Sequence, residues 1–272
     1  MELFCMSKSI AITSGKGGAG KTSLAINLAL RLNEKRGKAI FLDADFGMAN
    51  GHILLKSRPT LDIMDVLVDG VPVRDVLHLG PKGLRLLAGR TGATELLNLD
   101  DSKTEALIQA INTLEDECDY LVVDTSAGAE SNTLACAAAA DHFVVVLVGQ
   151  ATGFVDAYAM IKGGFKQHGI TNFSVVVNMA ESKVEAQSLF ETFKKTVLRF
   201  MPVQVDYCGY LPYSRAFYNA AVSCHPVATQ PACQVEQTAL DNIADRILKS
   251  PLNRAMAQRY FQDAPQQNVI NL

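Results

Sequence analysis

The amino-acid sequence predicts an α/β protein, a doubly wound, mostly parallel sheet with helices on both faces. Two observations carry that expectation. Short runs rich in β-branched residues alternate with longer stretches of helical periodicity over most of the 272 residues, the order that builds parallel strands and covering helices. Several of those runs are apolar at consecutive positions, as strands buried on both faces are. The length suits one large α/β domain, and no low-complexity linker or internal repeat divides it. A single domain is expected over 1–250, followed by a polar, Gln/Asn-rich tail over 251–272.

In chain order the first strand is SIAIT (9–13), and a helix is expected over 22–34. Strands follow at KAIFLD (38–43) and LRLLAG (84–89), then a helix over 103–116. DYLVVD (119–124), HFVVVLVG (142–149), NFSVVVNM (172–179) and VQVDYCGYL (203–211) complete the strands. Helices over 131–139, 154–168 and 184–200 alternate with them, and EQTALDNIADRILKS reads as a last helix stopped by Pro251.

Composition bounds the function. Hydrophobic residues make up 49% and charged residues 19%, an ordinary globular balance, and a net charge of -3 gives no overall reason for nucleic acid as main partner. The six cysteines form no C-x-x-C pair and no zinc-finger spacing with the five histidines. Reduced thiols and a cytoplasmic protein are expected. MELFCMSKS does not read as a signal peptide. The longest apolar region, LACAAAADHFVVVLVG, is broken by Asp141 and His142 and is too short to span a bilayer.

The chemistry is concentrated in GKGGAGKT, Gly15 to Thr22, which fits G-x-x-x-x-G-K-[ST] between an expected strand and helix. Gly15, Gly17, Gly18, Ala19, Gly20 and Ser23 are the loop and its exit. Glycines let backbone N–H groups converge on an anion, and the following helix adds the positive end of its dipole. Lys21 is placed for the β- and γ-phosphates and the Thr22 hydroxyl for Mg²⁺. In FLDADFG, Asp43 and Asp45 lie two apart at a strand end; YLVVDTSAG ends a buried strand at Asp124, the usual position for an acid supporting Mg²⁺. Open α/β sheets bind ligands beyond the carboxyl ends of their strands, so these acids are expected in one crevice. Gly128 is expected to bring a backbone N–H to the γ-phosphate.

Lys16, a second lysine in the same loop, is left over. It either projects toward a neighbouring molecule or is a solvated loop side chain. KGGAGKT resembles the deviant phosphate loop K-G-G-x-G-K-[ST] of the MinD/ParA family of dimerising ATPases. FLDADFGMAN is similar to that family's first switch and VVDTSAG to its second. VVVNMAES and GYLPYS are similar to its adenine-side segments. The resemblance implies ATP and Mg²⁺ as ligands and a homodimer formed with ATP, in which Lys16 crosses to the partner's phosphates. It also implies that Asp45 orients the attacking water, that Asp43 and Asp124 serve the Mg²⁺ shell, and that Asn178 and Pro212 serve the base. Within the family, FLDADFGMANGHILL and DAYAMIKGGFKQHGITNFSVVVNMAES are similar to the flagellar-number regulators FlhG and FleN. Two departures stand out. Gln150-Ala151 replaces the acid-proline pair many relatives carry after the fifth strand. Some flagellar members carry an N-terminal extension that stimulates a partner GTPase, and the resemblance does not imply that activity here.

The function this implies is a weak, dimer-dependent ATPase switch that regulates flagellar number or placement. Its implied partners are a flagellar transcription activator and a signal-recognition-type GTPase. Two alternatives stay open: a MinD/ParA-type spatial organiser cycling on membrane or nucleoid, and a nucleotide-sensing scaffold with negligible turnover. In the tail, Leu252, Met256 and Tyr260 recur every four residues with Phe261 beside them. The stretch 252–262 therefore offers either a weak peripheral membrane contact or a helix packed on the protein itself. Lys194, Lys195 and Arg199 cluster on one helix, a pattern of solvated faces more than of direct DNA binding. Helix 154–168, with Asp156 and Lys162, is a candidate partner-facing surface by analogy.

Overall fold

The computed structural model describes residues 7–90, 101–253 and 259–261. Its centre is a sheet of eight strands: β1 (Lys8–Ser14), β2 (Ala39–Ala44), β3 (His78–Leu79), β4 (Arg85–Leu87), β5 (Tyr120–Ala127), β6 (His142–Val148), β7 (Asn172–Ala180) and β8 (Gln204–Pro212). The spatial order is β3-β4-β2-β5-β1-β6-β7-β8, and every pairing is parallel except β3 with β4. The expected mostly parallel, doubly wound sheet is what the chain forms. Each expected strand lies within a few residues of an observed one; β3, a two-residue edge strand, was too short to leave a periodicity.

Helices cover both faces. On one lie α1 (Lys21–Lys35) and, far along the chain, a short helix α9 (Arg215–Ser223) and α10 (Gln234–Lys249). The other carries α3 (Ile63–Leu67), α4 (Val73–Val76), α5 (Asp101–Asn112), α6 (Ser131–Ala138), α7 (Ala151–His168) and α8 (Lys183–Phe200); a single turn, α2 (Gly51–Leu54), follows β2. The consecutive apolar residues of the central strands divide accordingly. Ile10, Ile12, Val144 and Val146 face α1 and α10, whereas Ala11, Phe143, Val145 and Phe173 face α6 to α8. α1 is sandwiched between sheet and α10. That position buries residues around most of its circumference, Arg31 included, whose guanidinium is held by Asp241 at 2.6 and 2.8 Å and by Glu34.

Of the two readings of the tail, packing on the protein itself is the one its described residues follow. Tyr260 and Phe261 are fully buried in the core on the α6 side. Tyr260 N–H donates to the Ala139 carbonyl, Phe261 N–H to Asn112 Oδ1, and Arg259 pairs with Asp141 at 3.2 Å. The two aromatics pack on the chain itself because the cavity beside α5 and α6 removes more of their surface from water than a lipid interface would. Met256 and Arg254 lie outside the described residues. No helix among the described residues is long and apolar enough to cross a membrane.

Candidate nucleotide site

β1 delivers the loop 15–20 at the carboxyl edge of the sheet, between β5 and β6, and α1 starts directly from it. Gly20 is the N-cap residue, in the left-handed region at φ 80° and ψ 19°, without a side-chain cap, and the first turn of α1 carries no acid. The helix's first N–H groups and its positive dipole end are thereby left for an exogenous anion. Gly20 needs its missing Cβ for a second reason: one there would stand 2.3 Å from Asn178 Nδ2. At Gly15 a Cβ would come 2.2 Å from the Asp156 carbonyl oxygen, so α7 is packed flush against the loop.

The acids meet beneath the loop. β2 and β5 pair with Asp43 opposite Asp124, and both side chains are fully buried. Asp43 accepts from Gly51 N–H at 2.7 Å and Asp45 N–H at 3.2 Å. Asp124 Oδ1 accepts from Lys21 Nζ at 2.6 Å, an ion pair out of contact with water. Burial, and then the charge of Asp124, push the Asp43 carboxyl up to about 7 against the two N–H donors. Burial raises Asp124 as well, opposed by Lys21 and the Thr22 hydroxyl. Asp45, half-buried, accepts from Ser126 Oγ and Met48 N–H, both at 3.2 Å.

One lysine thus faces two buried acids, with Asp45 close by, and Asp124 Oδ2 is a buried oxygen with no hydrogen-bond partner. That donor set fits a divalent cation. Mg²⁺ keeps waters and takes phosphate oxygens alongside one or two protein groups, so two acids and a hydroxyl are a sufficient protein contribution.

The remaining predicted residues fall as follows. Lys16 is exposed, and its Nζ is held at 3.2 Å by Thr152 Oγ1 at the start of α7, away from the Lys21–Asp124 pair. It lines a cavity of about 400 Å³ with Gln150, Glu181 and Glu185. Asn178 and Pro212 line a groove of about 210 Å³ beside Gly20 and Ser23, walled by Tyr213, Phe217 and Tyr218. Asn178 also donates from Nδ2 to the Ala19 carbonyl at 2.7 Å, tying the end of β7 to the loop. Gly128 differs from expectation. Its N–H donates to the Ser14 carbonyl at 2.9 Å, because the β1–β5 ladder runs on through a register shift at Ser14–Ala127 and consumes the donor.

Sequence reasoning missed Thr152 and Ser126, partners of the two most informative side chains. It also missed α9, whose Phe217 and Tyr218 wall the groove. Ser214 before that helix is an N-cap whose hydroxyl accepts from Phe217 N–H, and a serine ahead of an apolar stretch was the available signal.

Residues 5–248 match the family model described as ParA, NUBPL iron-transfer P-loop NTPase. The chain belongs to the ParA/MinD family of P-loop NTPases. It is 39% identical over 211 residues, 78% of this chain and 75% of the relative, to the antiactivator FleN of Pseudomonas aeruginosa. To the flagellum site-determining protein YlxH of Helicobacter pylori it is 32% identical over 205 residues, 74% of this chain and 68% of the relative. Its fold is that of the cell division ATPase MinD of Pyrococcus furiosus, at a TM-score of 0.73 and 22% identity, covering 90% of this chain and 99% of the other. MinD of Pyrococcus horikoshii, complexed with Mg-ADP, matches at a TM-score of 0.71 and 21% identity, over 90% and 97% of the two chains.

Among the described residues no group of three His, Cys, Asp or Glu side chains is gathered for a metal ion. Cys118, Cys136, Cys208 and Cys233 are buried, and burial pushes the Cys118 and Cys136 thiols up to about 12, so neither presents a thiolate.

Proposed function

We propose that this chain is a MgATP-dependent dimerising ATPase that acts as a switch in the control of flagellar number or placement, working from the cytoplasm through protein partners. The flagellar part of the reading rests on the likeness to FleN and YlxH. The ATPase part rests on the loop geometry, the ion-paired Lys21 and the orphaned oxygen of Asp124.

In this reading the uncapped start of α1 and the N–H groups of residues 17–22 bind the β-phosphate, and Lys21 leaves Asp124 for the β- and γ-phosphates. Thr22, Asp43 and Asp124 hold Mg²⁺ and its water ligands; the ion, when bound, neutralises the phosphate oxygens. Asp45, steadied by Ser126, orients the attacking water. The groove at Asn178, Pro212 and Phe217 takes the base. FleN's description as an antiactivator supports a transcription activator as partner, with a signal-recognition-type GTPase as the second candidate.

The observation behind the dimer reading is Lys16, an exposed ammonium that meets Thr152 on α7 where Lys21 meets Asp124. A lysine placed so serves a phosphate on another molecule. Light scattering of an Asp45→Ala chain with MgATP and with MgADP tests it. A dimer formed only with ATP, and lost on adding Lys16→Ala, is expected. A monomer in both nucleotides, with ATP binding confirmed by titration, would rule the switch out.

A further inference from the structure

A second, larger hollow lies outside the nucleotide site. The segment after α2, the β3 edge and the loop after α9 border an open cleft of about 720 Å³. Lys56, Arg58, His78 and His225 line it, and no aspartate or glutamate does. Lys56 Nζ stands 3.2 and 3.3 Å from the two ring nitrogens of His225, a cation against an imidazole rather than a carboxylate. Among the described residues neither Lys56 nor Arg58 has an acidic partner. Nearby cations do: Arg31 pairs with Asp241, Arg36 with Asp245 and Lys82 with Glu34. A single solvated lysine means nothing, but two cations without acidic partners, with two imidazoles beside them, make one concavity favourable to an anion.

Lys56 at φ 49° and Cys224 at φ 51° close α2 and α9 in the left-handed conformation usual at helix C-termini, and both line the cleft. Both walls lead to the nucleotide site. Lys56 follows five residues after Gly51, whose N–H holds Asp43, and His225 follows α9, whose aromatics wall the base groove.

We infer that this cleft is a binding site for a phosphate-bearing small molecule, separate from the nucleotide site. Arginine takes phosphate oxygens two at a time, lysine adds a point charge and imidazole N–H groups donate. Leu79 and the prolines Pro81 and Pro226 supply the apolar wall against which the organic part of such a molecule rests. The volume lies in the range of small-molecule sites, roughly 300–1,000 Å³. An acidic segment of a protein partner shares the charge, but a concave site with an apolar wall fits a compact ligand better.

The test follows the imidazole signals of His78 and His225 by NMR while inorganic pyrophosphate is added to the full chain. The Lys21→Ala background prevents binding at the phosphate loop, so the result does not depend on the ATPase reading. Saturable shifts at both histidines are expected, with affinity lowered about tenfold or more by Arg58→Gln and further by adding Lys56→Gln. Circular dichroism confirms that these surface variants remain folded. No saturable shift, or an affinity indifferent to both substitutions, overturns the site. A glutamate-rich peptide that binds the same residues more tightly than pyrophosphate overturns the ligand class.

Discussion

The two ends of the sheet are built on opposite principles. At the carboxyl end, Asp43, Asp124 and Lys21 are buried with more negative than positive charge, one carboxylate oxygen has no partner, and α1 begins without a cap. At the amino end the polar groups answer one another. Ser9 donates to Asp141 from both N–H and Oγ at 2.9 Å, and the Asp141 N–H donates back to Ser9 Oγ. Asn253 and Asn172 bond reciprocally, and Asn112 satisfies both the Arg259 carbonyl and the Phe261 N–H. One end therefore holds the fold while the other keeps desolvated acids and an unpartnered carboxylate oxygen.

Breaking the well-bonded end should have the largest effect. Tyr260→Ala opens a cavity at a fully buried aromatic and is expected to lower unfolding free energy by about 4 kcal/mol. Its MgADP affinity, measured by titration, should stay that of the parent chain; a matching loss of nucleotide binding would mean the two ends are not independent.

His142 sharpens the contrast, because with the Tyr260 hydroxyl it is an exception at the amino end: both its ring nitrogens are buried without a partner. Burial, aided by the Lys8 charge, lowers its pKa from 6.5 to about 4. The unfolded chain takes up a proton near 6.5 that the folded chain refuses until about 4. Stability is therefore lost as pH falls through that window, by roughly 3 kcal/mol from this group. Denaturant melts of His142→Gln against the parent should show that difference in slope between pH 6.5 and 4. Parallel curves would contradict it.

At the other end the sign reverses. The folded chain holds a proton on Asp43 that the unfolded one releases above about 3.8, so stability falls as pH rises from there to about 7. Asp43→Asn keeps an acceptor for Gly51 N–H and adds a donor beside Asp124. It should be more stable than the parent by about 1–2 kcal/mol at pH 8, indistinguishable near pH 4, and poor in MgATP turnover. A stability gap independent of pH would refute the buried-charge account. Smallest of all, Lys16→Ala should move the melting free energy by less than about 0.5 kcal/mol, since its ammonium is exposed and meets only Thr152.

The same division decides how much the sequence could reveal. The strand–loop–helix around 15–22 and the strand-end places of Asp43 and Asp124 were legible from the spacing of these residues along the chain. The long strands and helices were legible from periodicity. Hidden were the relations that only folding creates. Thr152 meets Lys16 across 136 residues and Ser126 meets Asp45 across 81. Gly128 spends its N–H on a ladder whose register shift no composition announces. The tail stayed open between two readings, since an i, i+4 apolar recurrence says that a face is covered but not by what.

The flush contact between Gly15 and the backbone of Asp156 has a mechanical corollary. With no slack between them, α7 and the phosphate loop move as one piece, like a key and its bow. Val155, on the outer side of the same turn, is two-thirds exposed at 65%, so a binder that grips α7 there holds the loop by its handle. An antibody fragment selected against that turn should arrest turnover without ever touching the nucleotide.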